Sequence, residues 1–159
     1  MTAVAAPRRA AEPHRVPHRI DDPWHHILVA TDGRSASTAA ITRALELARR
    51  DGAALTILVA QPIDGPGLHV DRSVPAAVEV LVERGRAAGL HVDVDVRRGG
   101  AGQAIVEAAG ELDADLIVVG RHGRRLDMPS GTATCGYVLT HSDRPVLVVQ
   151  PWAPEEATE

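Results

Sequence analysis

Apolar residues along the chain fall into short continuous runs, and the stretches between them repeat their apolar positions with helical spacing. His26–Thr31 (HILVAT), Ala54–Ala60 (ALTILVA), Asp115–Val119 (DLIVV) and Arg144–Gln150 (RPVLVVQ) are of strand length, rich in Val, Ile and Leu, and almost free of alternation. That is the pattern of strands in a parallel sheet covered by helices. His91–Val96 (HVDVDV) differs: Val92, Val94 and Val96 point one way and Asp93 and Asp95 the other, as in an edge strand with one wet face. A catalytic or metal-binding pair of carboxylates is the weaker reading of the same alternation.

Between the first two runs, Ile41, Ala44, Leu45 and Ala48 follow i, i+3, i+4, i+7 spacing and predict a helix from about Ser35 to Arg50, closed by Asp51-Gly52. Ser73 and Pro75 open a second helix that runs to about Ala88, with Ala77, Val78, Leu81 and Val82 facing inward and Gly89 as its stop. Arg97 to Gly102 reads as a turn. A third helix from about Gln103 to Leu112 carries Ala104, Ile105, Ala108, Ala109 and Leu112 on its inner side. A fourth begins near Ser130. Strands and helices alternate throughout, which predicts one α/β domain: a five-stranded parallel sheet, right-handed crossovers and helices on both faces.

Two tails flank this pattern. Residues 1–23 are rich in Ala, Pro, Arg and His without periodicity and read as a disordered N-terminal leader. Residues 24–152 form the domain, and 153–159 an acidic tail. His14, His18, His25 and His26 gather around the start of the first strand, but no Cys or carboxylate completes a ligand set with them, so a solvated segment is the expectation.

Composition narrows the functional classes. The 159 residues suffice for one domain with a real core, and the near absence of aromatics (two Trp, one Tyr, no Phe) leaves that core to Val, Leu, Ile and Ala. A net charge of −4 argues against a general nucleic-acid or membrane-surface protein. All 17 basic residues are Arg. Without Lys there is no P-loop, no protein kinase and no Schiff-base enzyme, and a phospho-accepting receiver domain is unlikely for the same reason. The single Cys135 forms no intramolecular disulfide, and its expected role is that of a small core or helix residue. No apolar run approaches the ~20 residues of a membrane span, and no signal-peptide core follows Arg8 and Arg9. A soluble cytoplasmic protein is expected.

The candidate chemistry lies between Asp115 and Gln150. Gly120 ends a strand, Gly123 follows three residues on, and Ser130, Gly131 and Thr132 stand where a helix begins. A helix start offers unpaired N–H groups and a positive dipole end to a phosphate, and Arg121, Arg124 and Arg125 add charge in the same loop. Asp32, at the carboxyl end of the first strand, occupies the position where open parallel sheets bind ligands. It reads equally well as a cap of the next helix, a role open to Ser35 too. The glycines of residues 61–71 make no dinucleotide fingerprint, and no Gly-x-Ser-x-Gly elbow supports a hydrolase.

HILVATDG, DADLIVVGRHGR and YVLTHSDRPVLVVQP, in that order and at that spacing, resemble the universal stress protein family over roughly residues 26–151. The resemblance implies a Rossmann-like sheet of the adenine-nucleotide alpha-hydrolase type, commonly dimeric through the last strand, here Arg144–Gln150. It implies ATP, accompanied by Mg²⁺, with Asp32 facing the nucleotide and the backbone near Val59 or Ala60 holding adenine. The phosphates would lie against Gly120, Arg121, His122, Gly123 and Arg124, and against the helix start at Ser130, Gly131, Thr132, Ala133 and Thr134. The family's phosphate motif has nine residues between its second and third glycines, whereas seven separate Gly123 from Gly131. Arg34 replaces a usual Ser after Asp-Gly, and Ser37 matches a usual later Ser. The expected function is an ATP-binding regulatory protein of the stress response, not an enzyme. The alternative is a dimeric interaction module of the same family that binds no nucleotide.

Overall fold

The structure, a computed structural model, describes residues 21–32, 35–61, 74–121 and 129–150. The leader up to residue 20, the tail from residue 151, the glycines of 62–73 with Ser73, and the loop residues 33–34 and 122–128 lie outside the described residues.

Nine elements alternate: β1 (His26–Thr31), α1 (Ser35–Asp51), β2 (Ala54–Gln61), α2 (Ala76–Ala87), β3 (Val92–Arg98), α3 (Ala101–Glu111), β4 (Leu116–Gly120), α4 (Pro129–His141) and β5 (Val146–Val149). All four pairings are parallel and the strand order is β3-β2-β1-β4-β5. The alternating strand is therefore an edge, as its pattern predicted, and β5 is the other.

Each face of the sheet carries its own core. Ile27 and Val29 of β1, Leu55 and Ile57 of β2 and Val118 of β4 meet α1 through Ile41, Ala44 and Ala48, and α2 through Val78, Leu81 and Val82. On the opposite face Leu28, Leu58, Ile117 and Val119 meet Ala104, Ile105, Ala108 and Ala109 of α3 and Val138 of α4. The uninterrupted apolar runs follow from this: every residue of an inner strand is covered on one side or the other.

Ala77 is exposed instead of facing inward. The buried stripe of α2 runs through Val78, Leu81, Val82 and Gly85, and Ala77 lies beside it because a helix turns about 100° per residue. The expected turn at residues 97–102 is also shorter than the sequence suggested. Arg97 and Arg98 stay in β3, paired with Ala60 and Gln61, and α3 starts at Ala101.

The chain enters β1 through a latch at the amino end of the sheet. Asp115 accepts hydrogen bonds from the backbone N–H groups of His25 and His26, both at 2.8 Å. Asp51 accepts the N–H of Trp24 at 3.0 Å, and His26 Nε2 lies 2.8 Å from Thr56 Oγ1. No helix among the described residues is long and apolar enough to cross a membrane.

Candidate functional site

The site follows from the strand order. β1 and β4 are neighbours, yet α1 leaves β1 toward one face while α4 leaves β4 toward the other. Connections that part in this way open a crevice beyond the carboxyl ends of the two strands, where open α/β sheets take their ligands. Thr31 lies two residues past Val29 on β1, and Gly120 two past Val118 on β4; Val29 and Val118 are paired. Asp32 and Gly120 thus flank the crevice.

On the β1 side, Thr31 and Ser37 are buried and Asp32 is exposed. Thr31 Oγ1 donates to Ser37 Oγ at 2.9 Å, and Ser37 Oγ donates to Asp32 Oδ1 at 2.9 Å. Both readings of Asp32 meet here. Its carboxylate engages the first turn of α1 through Ser37, and it still presents a face to solvent. A carboxylate has about four acceptor positions, so the bond to Ser37 leaves capacity for a ligand.

β2 completes this side. Thr31 pairs with Val59, so Ala60, partly exposed, lies at the level of Asp32. Across from Ala60 stands Arg97. Its guanidinium donates to Asp95 at 2.9 Å and to Glu111 at 2.6 Å. The Glu111 bond, helped by Asp95, holds the Arg97 guanidinium above its ordinary range, and the same contact holds the Glu111 carboxyl below the usual carboxylate range. The arginine charge is spent on tying β3 to α3.

On the β4 side, Gly120 is buried and pairs with Val149. The Arg121 N–H continues the ladder by donating to Val149 O at 2.8 Å, so backbone donors for an anion must come from beyond it. Cys135 Sγ lies 3.6 Å from Gly120 O. Burial pushes the thiol's pKa up, while the Arg121 charge pulls it the other way. α4 begins at Pro129, placing Ser130, Gly131, Thr132 and Ala133 in its first turn and a half and Thr134 just beyond. Pro suits the first position, since that N–H has no helical partner anyway. His122, Gly123 and Arg124 lie outside the described residues.

The structure thus brings Asp32, Ala60, Gly120, Arg121 and the α4 start to the carboxyl edge of one sheet. Sequence reasoning did not find Thr31 at this site or the link from Ser37 to Asp32. The available signal was a Thr-Asp pair ending a strand, followed five residues later by a Ser on the covered face of a helix.

These features define an open parallel α/β domain whose topological switch point lies between β1 and β4. A model of the universal stress protein family matches residues 23–150, and the chain belongs to that family. It is 26% identical over 149 residues to a universal stress protein of Synechocystis, covering 78% of this chain and 96% of the relative. Among solved structures, a universal stress protein in complex with cAMP is similar at 28% identity and a TM-score of 0.61, over 82% of this chain and 99% of that one. The Archaeoglobus fulgidus universal stress protein in complex with dAMP is similar at 25% identity and a TM-score of 0.57, over 79% and 98%.

Proposed function

We propose that the protein binds adenine nucleotide, ATP with Mg²⁺ in particular, and acts as a regulatory protein of the stress response. The observation that carries this reading is the placement of Asp32 and Gly120 at the ends of neighbouring strands on either side of the switch point, in a family whose members include complexes with cAMP and dAMP. The residues fit the ligand. Asp32 takes hydrogen bonds from the nucleoside, the backbone at Ala60 meets the base, and the α4 start with Arg121 faces the phosphates. Mg²⁺, when bound, neutralises phosphate charge and is held largely by phosphate oxygens and water.

The role is binding, not catalysis. Cys135, the one thiol, is partly buried and has its pKa raised, which suits a neutral side chain and not a nucleophile. Phosphate release from ATP is accordingly expected to stay at the level of a blank, and sustained turnover would overturn this part of the reading. A cytoplasmic setting goes with a nucleotide ligand and a single unpaired cysteine.

The protein is further proposed to form a homodimer through the edge at β5, where Val146–Val149 are all only partly buried. An apolar edge strand of this kind is protected when it meets its symmetry mate. Light scattering at about 50 µM, well above the Kd expected of a standard-size interface, is expected to give twice the chain mass. A monomer would refute it.

Isothermal calorimetry with ATP, ADP and AMP in Mg²⁺ buffer tests the nucleotide reading. Saturable heat is expected, and no heat at millimolar ATP would overturn it. The second reading, an interaction module without nucleotide, is favoured by the seven-residue spacer from Gly123 to Gly131 and by the engagement of the Arg121 N–H in the sheet.

A further inference from the structure

We infer that Ser37 and Thr31 are positioning residues of the nucleoside site: a two-hydroxyl chain rising from the core fixes the Asp32 carboxylate for its ligand. The inference rests on the nucleotide reading above and adds to it which groups set the affinity of the β1 side.

Protons set the direction of this chain. A carboxylate has none to give, so the 2.9 Å contact between Ser37 Oγ and Asp32 Oδ1 uses the single Ser37 hydroxyl proton. Ser37 Oγ can then only accept in its other short contact, and Thr31 Oγ1, 2.9 Å away, must be the donor. The direction of the whole chain is therefore fixed from Thr31 to Ser37 to Asp32.

Burial makes the chain rigid. Thr31 and Ser37 are 3% and 2% exposed, and a β-branched side chain is stiff at χ1. Thr31 sits in the last position of β1, paired with Val59, and Ser37 in the first turns of α1, whose next turn is anchored by the fully buried Ala40 and Ile41. Two elements packed on one core thus hold the two hydroxyls, and hydrogen bonds in series at low dielectric strengthen one another. Asp32 is the exposed end of this series. A carboxylate held in place before binding loses less affinity to being ordered by the ligand.

A buried hydroxyl costs free energy unless it is hydrogen-bonded, and the series ending at Asp32 gives both of these a partner. Val and Ala would fill the same positions in a β-strand end and a helix turn without polar groups to satisfy.

The test is a double-mutant cycle on the full chain, with ATP affinity and the Asp32 χ1 couplings by NMR as its readings. Ser37→Ala is expected to weaken ATP about fivefold in the wild-type background and to have no further effect once Asp32→Ala is present, because the hydroxyl acts through the carboxylate. In the absence of nucleotide, Asp32 is expected to hold one χ1 rotamer in the wild type and to average in Ser37→Ala. Thr31→Val, which keeps the shape and removes the donor, is expected to weaken ATP in the same direction, and Thr31→Ser to restore it. Equal losses from Ser37→Ala in both backgrounds, or unchanged ATP affinity in a wild type that binds, would overturn this inference alone. A wild type that binds no ATP would overturn the nucleotide reading and this inference together.

Discussion

Gly102 leaves no room for a side chain. A Cβ built there stands 2.8 Å from Cδ1 and 2.9 Å from Cβ of Tyr137, so α3 and α4 approach to backbone-to-side-chain contact. Gly102→Ala gains helix propensity of about 1 kcal/mol, but overpacking typically costs 1–3 kcal/mol, and the Tyr137 Cβ cannot swing away without its helix. We expect a net loss of about 1 kcal/mol, read as a lower urea midpoint at constant m. An unchanged midpoint would mean that the two helices can separate freely. Cys135, two residues before Tyr137, makes the second prediction at this scale. Its partly buried thiol titrates above the ordinary range, so the thiolate fraction at neutral pH is small, and alkylation by iodoacetamide at pH 7.5 is expected to be slower than that of a free thiol. The sign for stability follows the same shift. With a raised folded pKa, the contribution of this group is intact below the unfolded value and is lost only as pH climbs through the folded one, on the alkaline side. Alkylation as fast as that of an unfolded control would show the thiol to be open.

At the scale of elements, the first three helices, which lead into β2, β3 and β4, end alike but not with the same residue. Gly52 and Gly89 follow α1 and α2 at φ of 68° and 83°, whereas Asp113 follows α3 at φ of 51°. The left-handed region costs a residue with a Cβ about 1–2 kcal/mol, less for Asp. Asp113 is used here for its carboxylate, which accepts from Arg144 Nη1 at 3.0 Å while the same nitrogen donates to Ala114 O at 2.8 Å. Arg144 thereby ties the entry of β5 to the corner between α3 and β4. Asp113→Gly relieves the backbone and loses an exposed ion pair worth about 0–1 kcal/mol; Asp113→Ala loses the pair and keeps the strain. Thermal melts should therefore rank wild type and Asp113→Gly close together and Asp113→Ala below both, and Ala above Gly would refute the assignment. Such tertiary reasons are also where the sequence was least legible. Apolar runs located four strands and alternation the fifth, because coverage by helices writes itself as continuous Val, Ile and Leu and a wet edge as every second residue. Local pattern could not show that Gly102 belongs inside α3, since its smallness answers to Tyr137, nor that Ala77 turns outward, since the helix is phased by Gly85 against Leu45 and Val92.

At the scale of the whole molecule, half of the candidate site was legible and half was not, for one reason. Asp32 and Gly120 end apolar runs, and strand ends at a switch point are positions that order alone identifies. The Thr31–Ser37 chain depends on how α1 docks, and the engagement of the Arg121 N–H depends on β5 pairing outside β4; neither is a property of any one segment. A ligand bridging β1 and β4 would join two elements whose helices lie on opposite faces, so its binding must register in global stability and not merely in a loop. For a ligand at 100 times its Kd the linkage term is about 2.7 kcal/mol. A domain of this size shifts by roughly 2–4 °C per kcal/mol, so saturating ATP with Mg²⁺ should raise the melting temperature by about 5–10 °C. Asp32→Ala, which takes the acceptor from the buried Ser37 hydroxyl, should melt below wild type without nucleotide and lose most of the ATP-dependent shift. A wild type unmoved by millimolar ATP would exclude a nucleotide bridge between the two strands, and an Asp32→Ala variant that shifts as far as wild type would move the binding energy entirely to the β4–α4 side.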